Sequence, residues 1–282
     1  MADRITLKRI LKLLGLSAKM DLVWLLRDTK LAILIMCGEI VNNLATVSGV
    51  FLIATRFGGI GGMSADEVLF MMAFSTMGTG LFILLGSGNN FHISRVIGRG
   101  QLAHLLIQPL PLCVQLATSG FVPFSGGSNL AVGAVLAGVA LHRLELHITP
   151  VWVLMLLAYL LTTLAIIVAR SYLLSSLAFY APVAAEEIST TAIEGTWFLS
   201  TFPLSGMPAF LQVSLLTLLP EGLMAWFPAL CLLGKPPLGF SAYYPMLFAL
   251  LIALVASYFF RKGLSYYVTK GSNRYVPYGF RR

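Results

Sequence analysis

Long apolar intervals separated by short polar ones dominate the pattern of this chain. Six of these intervals are candidate membrane spans, over residues 31–55, 68–86, 129–144, 151–174, 209–232 and 244–260. A helix crosses the bilayer core with about 20 apolar residues. Because the intervals are continuously apolar and do not alternate with polar positions, they favour helices over a β-barrel. The pattern therefore predicts an all-α integral membrane protein with six transmembrane helices.

The fifth interval differs from the others because it contains two prolines, Pro220 and Pro228, with Glu221 between them. Proline lacks an amide donor and frees a backbone carbonyl, which needs another partner in lipid. This span is therefore expected to be bent or partly re-entrant. The polar interval at residues 182–196, just before it, is expected to lie in the cytoplasm.

The first 30 residues have the pattern of an amphipathic helix that lies in the membrane interface. Arg4, Lys8 and Lys12 recur at four-residue spacing, and leucine and isoleucine side chains occupy the opposite side. A secretory signal peptide is less favoured because the apolar run at residues 13–16 is short and no clean cleavage site follows it. The predicted organisation is an interfacial helix, a six-span transmembrane domain and a basic cytoplasmic tail, at residues 1–30, 31–262 and 263–282.

Composition and charge support this interpretation and add an orientation. The chain is 58% hydrophobic and 11% charged, with a mean hydropathy of +0.87, which excludes an ordinary soluble domain. A net charge of +8 suggests nucleic-acid binding in a soluble protein, but seven of the 19 basic residues precede residue 31 and six follow residue 260. By the positive-inside rule both termini are expected in the cytoplasm, with the chain in the inner (plasma) membrane and no nucleic-acid partner. Sixteen basic residues then lie inside, and Arg56, Arg143 and Lys235 lie outside.

No catalytic or nucleotide-binding motif is recognisable among the polar residues. The glycine-rich segment 56–67 is not followed by Gly-Lys-Ser/Thr, so it is a turn and not a phosphate loop. His142, Glu145 and His147 do not have the HExxH spacing of a zinc site. The chain is therefore expected to be no enzyme and to hold no metal or cofactor of its own.

Four polar residues inside predicted spans are candidates for a translocation path: Glu39, Asn42 and Asn43 in the first span and Glu221 in the fifth. A carboxylate at the centre of a membrane helix costs about 2.5–3.5 kcal/mol on insertion scales, so it needs a polar neighbour or water. Asn42 and Asn43 follow Glu39 by three and four residues, so the three side chains form one polar stripe. The stripe is expected to face another helix or a wet cavity that takes a cationic substrate. A purely structural role, with hydrogen-bonded carboxyls, remains the alternative for both glutamates.

The polar interval 89–110 carries Arg95 and Arg99 and ends in the pattern Gly-x-Leu-x-x-Leu-Leu-x-x-Pro-Leu at Gly100 to Leu110. Short Pro- and Gly-containing motifs follow at 202–204, 219–220, 227–230, 233–234 and 261–264. In their order and spacing these motifs resemble the type-2 ABC exporter permeases, the family that includes viologen-exporter-like subunits, over nearly the whole chain. In that family the segment between the second and third spans is a short coupling helix that rests on the ATPase. The resemblance thus implies an ATPase-coupling role for Arg95, Arg99, Gly100, Leu102, Leu105, Leu106 and Pro109.

The resemblance also implies the function. The chain would be the permease subunit of an ATP-binding-cassette exporter for a hydrophobic or amphipathic substrate. It would pair with a second permease, identical or related, and with ABC ATPase subunits that bind the ATP and magnesium. Two positions depart from the family pattern: Gln108 replaces a basic residue and Glu221 replaces an apolar one. A non-transporting membrane scaffold or assembly factor is the alternative, and an intramembrane enzyme is a third possibility.

Overall fold

The computed structural model describes residues 7–91, 93–118, 120–124, 126–235 and 239–271. These parts of the chain contain α-helices, short 3-10 turns and no β-strand. The helices are α1 Leu7–Arg27, α2 Thr29–Arg56, α3 Ala65–Phe91, α4 Ile93–Gly98, α5 Gln101–Leu106, α6 Leu112–Thr118, α7 Gly127–Arg143, α8 Pro150–Ser175, α9 Pro182–Leu199, α10 Ala209–Thr217, α11 Glu221–Met224, α12 Trp226–Leu232 and α13 Tyr244–Lys270. The predicted all-α class is confirmed for the described residues. Arg4 of the predicted interfacial helix and residues 272–282 of the predicted tail lie outside them.

Four of the described helical segments are long and apolar enough to cross a membrane. They are α2, the first 21 residues of α3, α8 with the 3-10 turn after it, and α13 with the turn before it. A fifth candidate is the pair formed by α10 and the segment 221–232, which are bent by 68° relative to each other. The predicted third span corresponds to α7, which has 17 residues. Several of the predicted spans are thus helices of membrane-spanning length and composition, and the bend expected in the fifth interval is observed.

Helix α3 lies at the centre of the bundle and packs against α2, α7 and α8. Its Phe70, Phe74 and Phe82 side chains are completely buried. The contact with α7 brings the two backbones together, since a Cβ atom on Gly133 would lie 2.6 Å from the Met77 amide nitrogen. Close approach through small residues is how membrane helices gain packing and dispersion energy where lipid provides no hydrophobic drive. The α3–α7 contact is therefore the central packing contact of the bundle.

The bent pair begins and ends at the same end of the bundle, where α2 turns into α3. Before α10, Ser205 Oγ donates to the Gly61 carbonyl. After α12, Lys235 Nζ lies 2.6 Å from Glu67 Oε2. The segment from α10 to α12 is therefore a hairpin that turns back inside the bundle, which we call the re-entrant hairpin. Pro220 lies at the turn between α10 and α11, where a missing amide donor is tolerated.

The polar interval at residues 182–196, which was expected in the cytoplasm, is helical. These residues form most of α9, which packs against α4 and α8. Pro182 occupies the first turn of this helix, a position that proline favours because its fixed φ suits a helix start. The residue after α9 is Ser200, and its hydroxyl lies 3.1 Å from the Ser75 hydroxyl on α3. Helix α9 thus runs from the α4 end of the bundle into its middle.

The end opposite the α2–α3 turn is closed by a second apolar cluster, formed by α4, α5, α6, the turn Ser176–Phe179 and the end of α13. Helix α13 reaches ten residues beyond the predicted end of the sixth span and packs Gly263 directly on the Phe179 ring. Helix α1 rests against this end, since Ser17 Oγ donates to the Thr118 carbonyl over 3.1 Å. Helices α4, α5, α6 and α1 therefore all pack at this end of the bundle.

Candidate functional site

A polar cavity of about 660 Å³ lies between α2, α3, α7 and α9. On the α3 side it is lined by Ser75, Thr76 and Thr79, which follow one another at helical spacing. The remaining polar lining comes from the other three helices and from the end of α9: Glu39, Asn42, Asn43, Thr46, Asn129, Glu194, Ser200 and Thr201. A polar lining of this kind is expected of a space that admits water or a polar substrate group at membrane depth. We call this space the central cavity.

The predicted polar stripe on α2 faces this cavity and is tied to α7. Ser128 Oγ donates to Glu39 Oε2 over 2.7 Å. Asn43 Nδ2 donates to the Glu39 carbonyl over 2.8 Å and to Asn129 Oδ1 over 2.5 Å. These hydrogen bonds hold Glu39 and Asn43 in place, while Asn42 is exposed at the edge. The donors to the Glu39 carboxylate and to Asn129 are neutral, so they fix the position of Glu39 without supplying a countercharge.

The sequence did not predict the second carboxylate of the cavity, Glu194 on α9. It lies in the interval that was expected to be a cytoplasmic loop, so it was not considered as part of a membrane site. The spacing of Ser75, Thr76 and Thr79 in an otherwise apolar span was the signal available for the α3 wall. None of the described residues that line the cavity is basic. Two carboxylates without a lining cation give the cavity a preference for positive charge.

Glu221 lies elsewhere, at the tip of the re-entrant hairpin. It is 1% exposed, and its Oε1 accepts a hydrogen bond from Arg170 Nη1 over 2.5 Å. Arg170 also donates to Thr196 Oγ1 over 2.6 Å and to the Ala192 carbonyl over 3.1 Å. The pair therefore joins α8, α9 and α11. The structure does not bring Glu221 together with Glu39, and its surroundings are those of a structural ion pair.

The segment predicted to couple to an ATPase forms α4 and α5 at the end opposite the α2–α3 turn. Gly100 allows the corner between the two helices, with φ of 71°, a value that side-chain-bearing residues rarely adopt. Arg95 Nε lies 3.0 Å from Glu186 Oε1 on α9, so this arginine is engaged within the chain. Leu102 is completely buried. Gly100 thus allows the corner of the segment, while Arg95 and Leu102 hold it through contacts within the chain.

The outer surface of the same segment is formed by different residues. Arg99 and Pro109 are exposed, Leu106 is 39% exposed and Ile107 is 81% exposed. Leu105 is half-buried and packs on the cluster below. The Gln115 side chain donates to the carbonyls of Leu105 and Leu110, which fixes the turn after α5. The turn after α5 is thus fixed by hydrogen bonds, and the large apolar side chain of Ile107 is exposed at its apex.

Comparison with known protein families decides the identity of the bundle. The sequence model described as ABC-2 family transporter protein matches residues 40–271. This chain belongs to the ABC-2 transporter family. The match begins one residue after Glu39 in α2 and ends just after α13, so it includes the α4–α5 segment and the lining of the central cavity apart from Glu39. No curated protein and no solved structure matched the chain.

Family membership confirms the predicted type-2 permease and makes the chain a multi-pass membrane component of an ABC transporter, associated with ABC ATPase subunits. The ATPase itself is a separate component of such transporters. Among the described residues of this ABC-2 permease, no three His, Cys, Asp or Glu side chains are grouped as metal ligands.

Proposed function

We propose that this ABC-2 permease exports amphipathic substrates that carry a positive charge, using ATP hydrolysed by partner subunits in the inner (plasma) membrane. The observation that carries the proposal is the central cavity, in which Glu39 and Glu194 face a space of about 660 Å³ without a basic lining residue among those described. Serine, threonine and asparagine side chains supply hydrogen bonds, while Trp197 and Phe198 supply apolar surface. Such a lining matches a cation with an apolar body.

The topology we propose has six crossings, made by α2, α3, α7, α8, α9 and α13, with the hairpin from α10 to α12 as a re-entrant element. In this topology α9 takes the place of the fifth span expected from the sequence. Its Glu186 is paired with Arg95, and its Glu194 lines the central cavity. The α2–α3 turn lies outside and the α4–α6 end lies inside. Two of the three basic residues at the outer end, Arg143 and Lys235, are paired with Asp66 and Glu67, which further reduces the positive charge there.

Single cysteines should establish this orientation. In a variant whose three native cysteines are replaced by alanine, cysteines at Ser64 and Glu145 are expected to react with an impermeant maleimide added to intact cells. A cysteine at Gln101, exposed on α5, should react only after the membrane is permeabilised. Labelling of Gln101→Cys in intact cells, with protection of Glu145→Cys, would show that the orientation is opposite to the proposed one. The α4–α5 segment would then lie outside the cell and could not contact the ATPase.

The central cavity is incomplete in a single chain. Asn42 is exposed and Phe198 is 74% exposed at its edge, so the cavity is open between α2 and α9. We propose that a second permease, identical or related, closes this side and that two ATPase subunits bind at the inner end. ATP binding and magnesium belong to those subunits. Their closure would move the α4–α5 segment, and α9 would carry the motion to the cavity through the Arg95–Glu186 and Ser94–Ser189 contacts.

The charge preference of the cavity can be tested in proteoliposomes that contain the whole transporter. We expect tetraphenylphosphonium to stimulate ATP hydrolysis and the isosteric anion tetraphenylborate not to do so. Glu39→Gln and Glu194→Gln should each raise the half-maximal concentration of the cation on the order of tenfold, which corresponds to about 1.4 kcal/mol. Glutamine at position 39 retains an acceptor for Ser128, so a loss reports on charge. Glu145→Gln, in the loop before α8, is the matched control and should leave the response unchanged. Equal responses to cation and anion would contradict the proposal.

A further inference from the structure

A second cavity, of about 430 Å³, lies beside the central cavity on the side of α1. Helices α1 and α2 form its walls, and Ile83 of α3 together with Val122 and Gly126, between α6 and α7, forms its floor. Glu39 and Ile83 line both cavities. The two spaces therefore adjoin at these two side chains.

The mouth of this second cavity is held open by contacts of α1 with the α6–α7 region. Asp21 is buried on α1, and its Oδ2 accepts a hydrogen bond from the Phe124 amide over 2.8 Å. One turn earlier on α1, Ser17 is bonded to the Thr118 carbonyl. These two tethers fix α1 against Thr118 and Phe124, so the space between α1 and α2 is a defined groove and not a gap between loosely placed helices.

The groove is lined by apolar side chains and by two carboxylates, Asp21 on α1 and Glu39 on α2. Trp24 and Ile35, each 41% exposed, lie with Met36 toward the outside of the groove. Glu39 lies at its inner end, one helical turn beyond Met36 and Ile35. None of the described residues that line the groove is basic. An apolar mouth that contains tryptophan is suited to the membrane–water interface, where amphipathic molecules collect.

We propose that this groove is a lateral portal, through which an amphipathic cation passes from the inner leaflet of the membrane into the central cavity. Its apolar body contacts Trp24, Ile35 and Met36, and its positive group is drawn toward Glu39. Because Glu39 lines both spaces, the same carboxylate that attracts the substrate in the portal holds it in the cavity. The portal rests on the proposed function, since it supplies the central cavity, and it assigns to α1 a role beyond anchoring.

The test narrows the portal and compares the result with an equal change outside it. Met36→Trp adds volume in the groove, and Leu34→Trp adds the same side chain on the same helix at a position that is 69% exposed and lines neither cavity. In reconstituted whole transporter, Met36→Trp should raise the half-maximal concentration of tetraphenylphosphonium for stimulated ATP hydrolysis on the order of tenfold, as expected for disruption of a packed binding contact. Leu34→Trp should match the parent protein both in basal hydrolysis and in its response to the cation.

A second measurement does not depend on a variant that folds. An azido derivative of tetraphenylphosphonium, photolysed with the unmodified transporter in lipid nanodiscs, should attach both to residues 24–36 and to the lining of the central cavity. Attachment only to the central cavity, or an unaltered response of a folded Met36→Trp protein, would show direct access from water and overturn the portal. If Glu39→Gln is also without effect, then the proposed function fails as well; if Glu39→Gln responds as expected, the portal alone fails.

Discussion

Replacing Arg170 by leucine is expected to destabilise the permease by about 3–5 kcal/mol, the cost of removing one partner from a buried ion pair. The change would leave Glu221, which is 1% exposed, without its only described cationic neighbour. Glu221→Leu should cost a similar amount, because Arg170 stays charged and its side chain is only 11% exposed. Both single variants should lower the midpoint of thermal unfolding of the detergent-solubilised protein by several degrees.

The double variant separates charge from packing. Arg170→Leu combined with Glu221→Leu removes both charges, and buried ion pairs replaced by apolar side chains are often neutral in stability. We therefore expect the double variant to be more stable than either single variant, although the Thr196 hydroxyl and the Ala192 carbonyl lose a donor. Arg143→Leu is the matched control, because its pair with Asp66 is long, at 3.4 Å, and about half of the arginine is exposed. An exposed pair contributes only about 0–1 kcal/mol.

The two single variants, compared with Arg143→Leu, also report on the hairpin. The Arg170–Glu221 pair attaches the hairpin tip to α8 and α9, and the Thr163 hydroxyl adds a bond to the Met224 carbonyl over 3.0 Å. If single replacements at 170 and 221 unfold the protein no earlier than Arg143→Leu, the pair is not a structural tie. Glu221 would then be available to the transport path, as the sequence alone allowed.

The part of the fold that sequence predicts well is the part set by hydropathy. The spans α2, α3, α8 and α13 follow directly from their apolar length, because the bilayer selects for that property alone. Prolines at 220 and 228 similarly indicated the break in the fifth interval. Helix α9 was missed because three glutamates make it too polar for a hydropathy rule. Their stabilisation comes from partners far away in sequence, such as Arg95, 91 residues from Glu186.

The candidate site was likewise predictable from the sequence only in part. Glu39, Asn42 and Asn43 could be grouped from their spacing on one helix, since neighbours at three and four residues share a face. The other wall of the cavity comes from α7 and α9, and no spacing rule within α2 identifies Asn129 or Glu194 as its neighbours. Likewise, Arg170 as the partner of Glu221 depends on the path of the hairpin back into the bundle.

Replacing Ile107 by aspartate is expected to release the ATPase subunits while leaving the permease folded. Its side chain is 81% exposed at the apex of the α4–α5 segment, so no contact within the chain accounts for this large apolar group. Truncating a central apolar residue of an interface typically costs about 2–4 kcal/mol, and a buried unpaired charge adds to that cost. Co-purification of the ATPase and substrate-stimulated hydrolysis should both be lost. Ile148→Asp, at an exposed position beyond α7, is the control and should retain both.

Leu102→Asp should give a different result, and the contrast tests how the segment works. Leu102 belongs to the family-like motif, but it is buried among Ile93, Ile97 and Leu116 of the inner cluster. Aspartate there places a carboxylate in an apolar core, so we expect loss of folded permease and not selective loss of the ATPase. Size-exclusion profiles distinguish the two effects, since Ile107→Asp should elute as intact permease and Leu102→Asp as aggregate. If Leu102→Asp instead gave intact permease without ATPase, the interface would include the inner face of α5. Helix α5 would then have to move away from α4 and α6 when the ATPase binds.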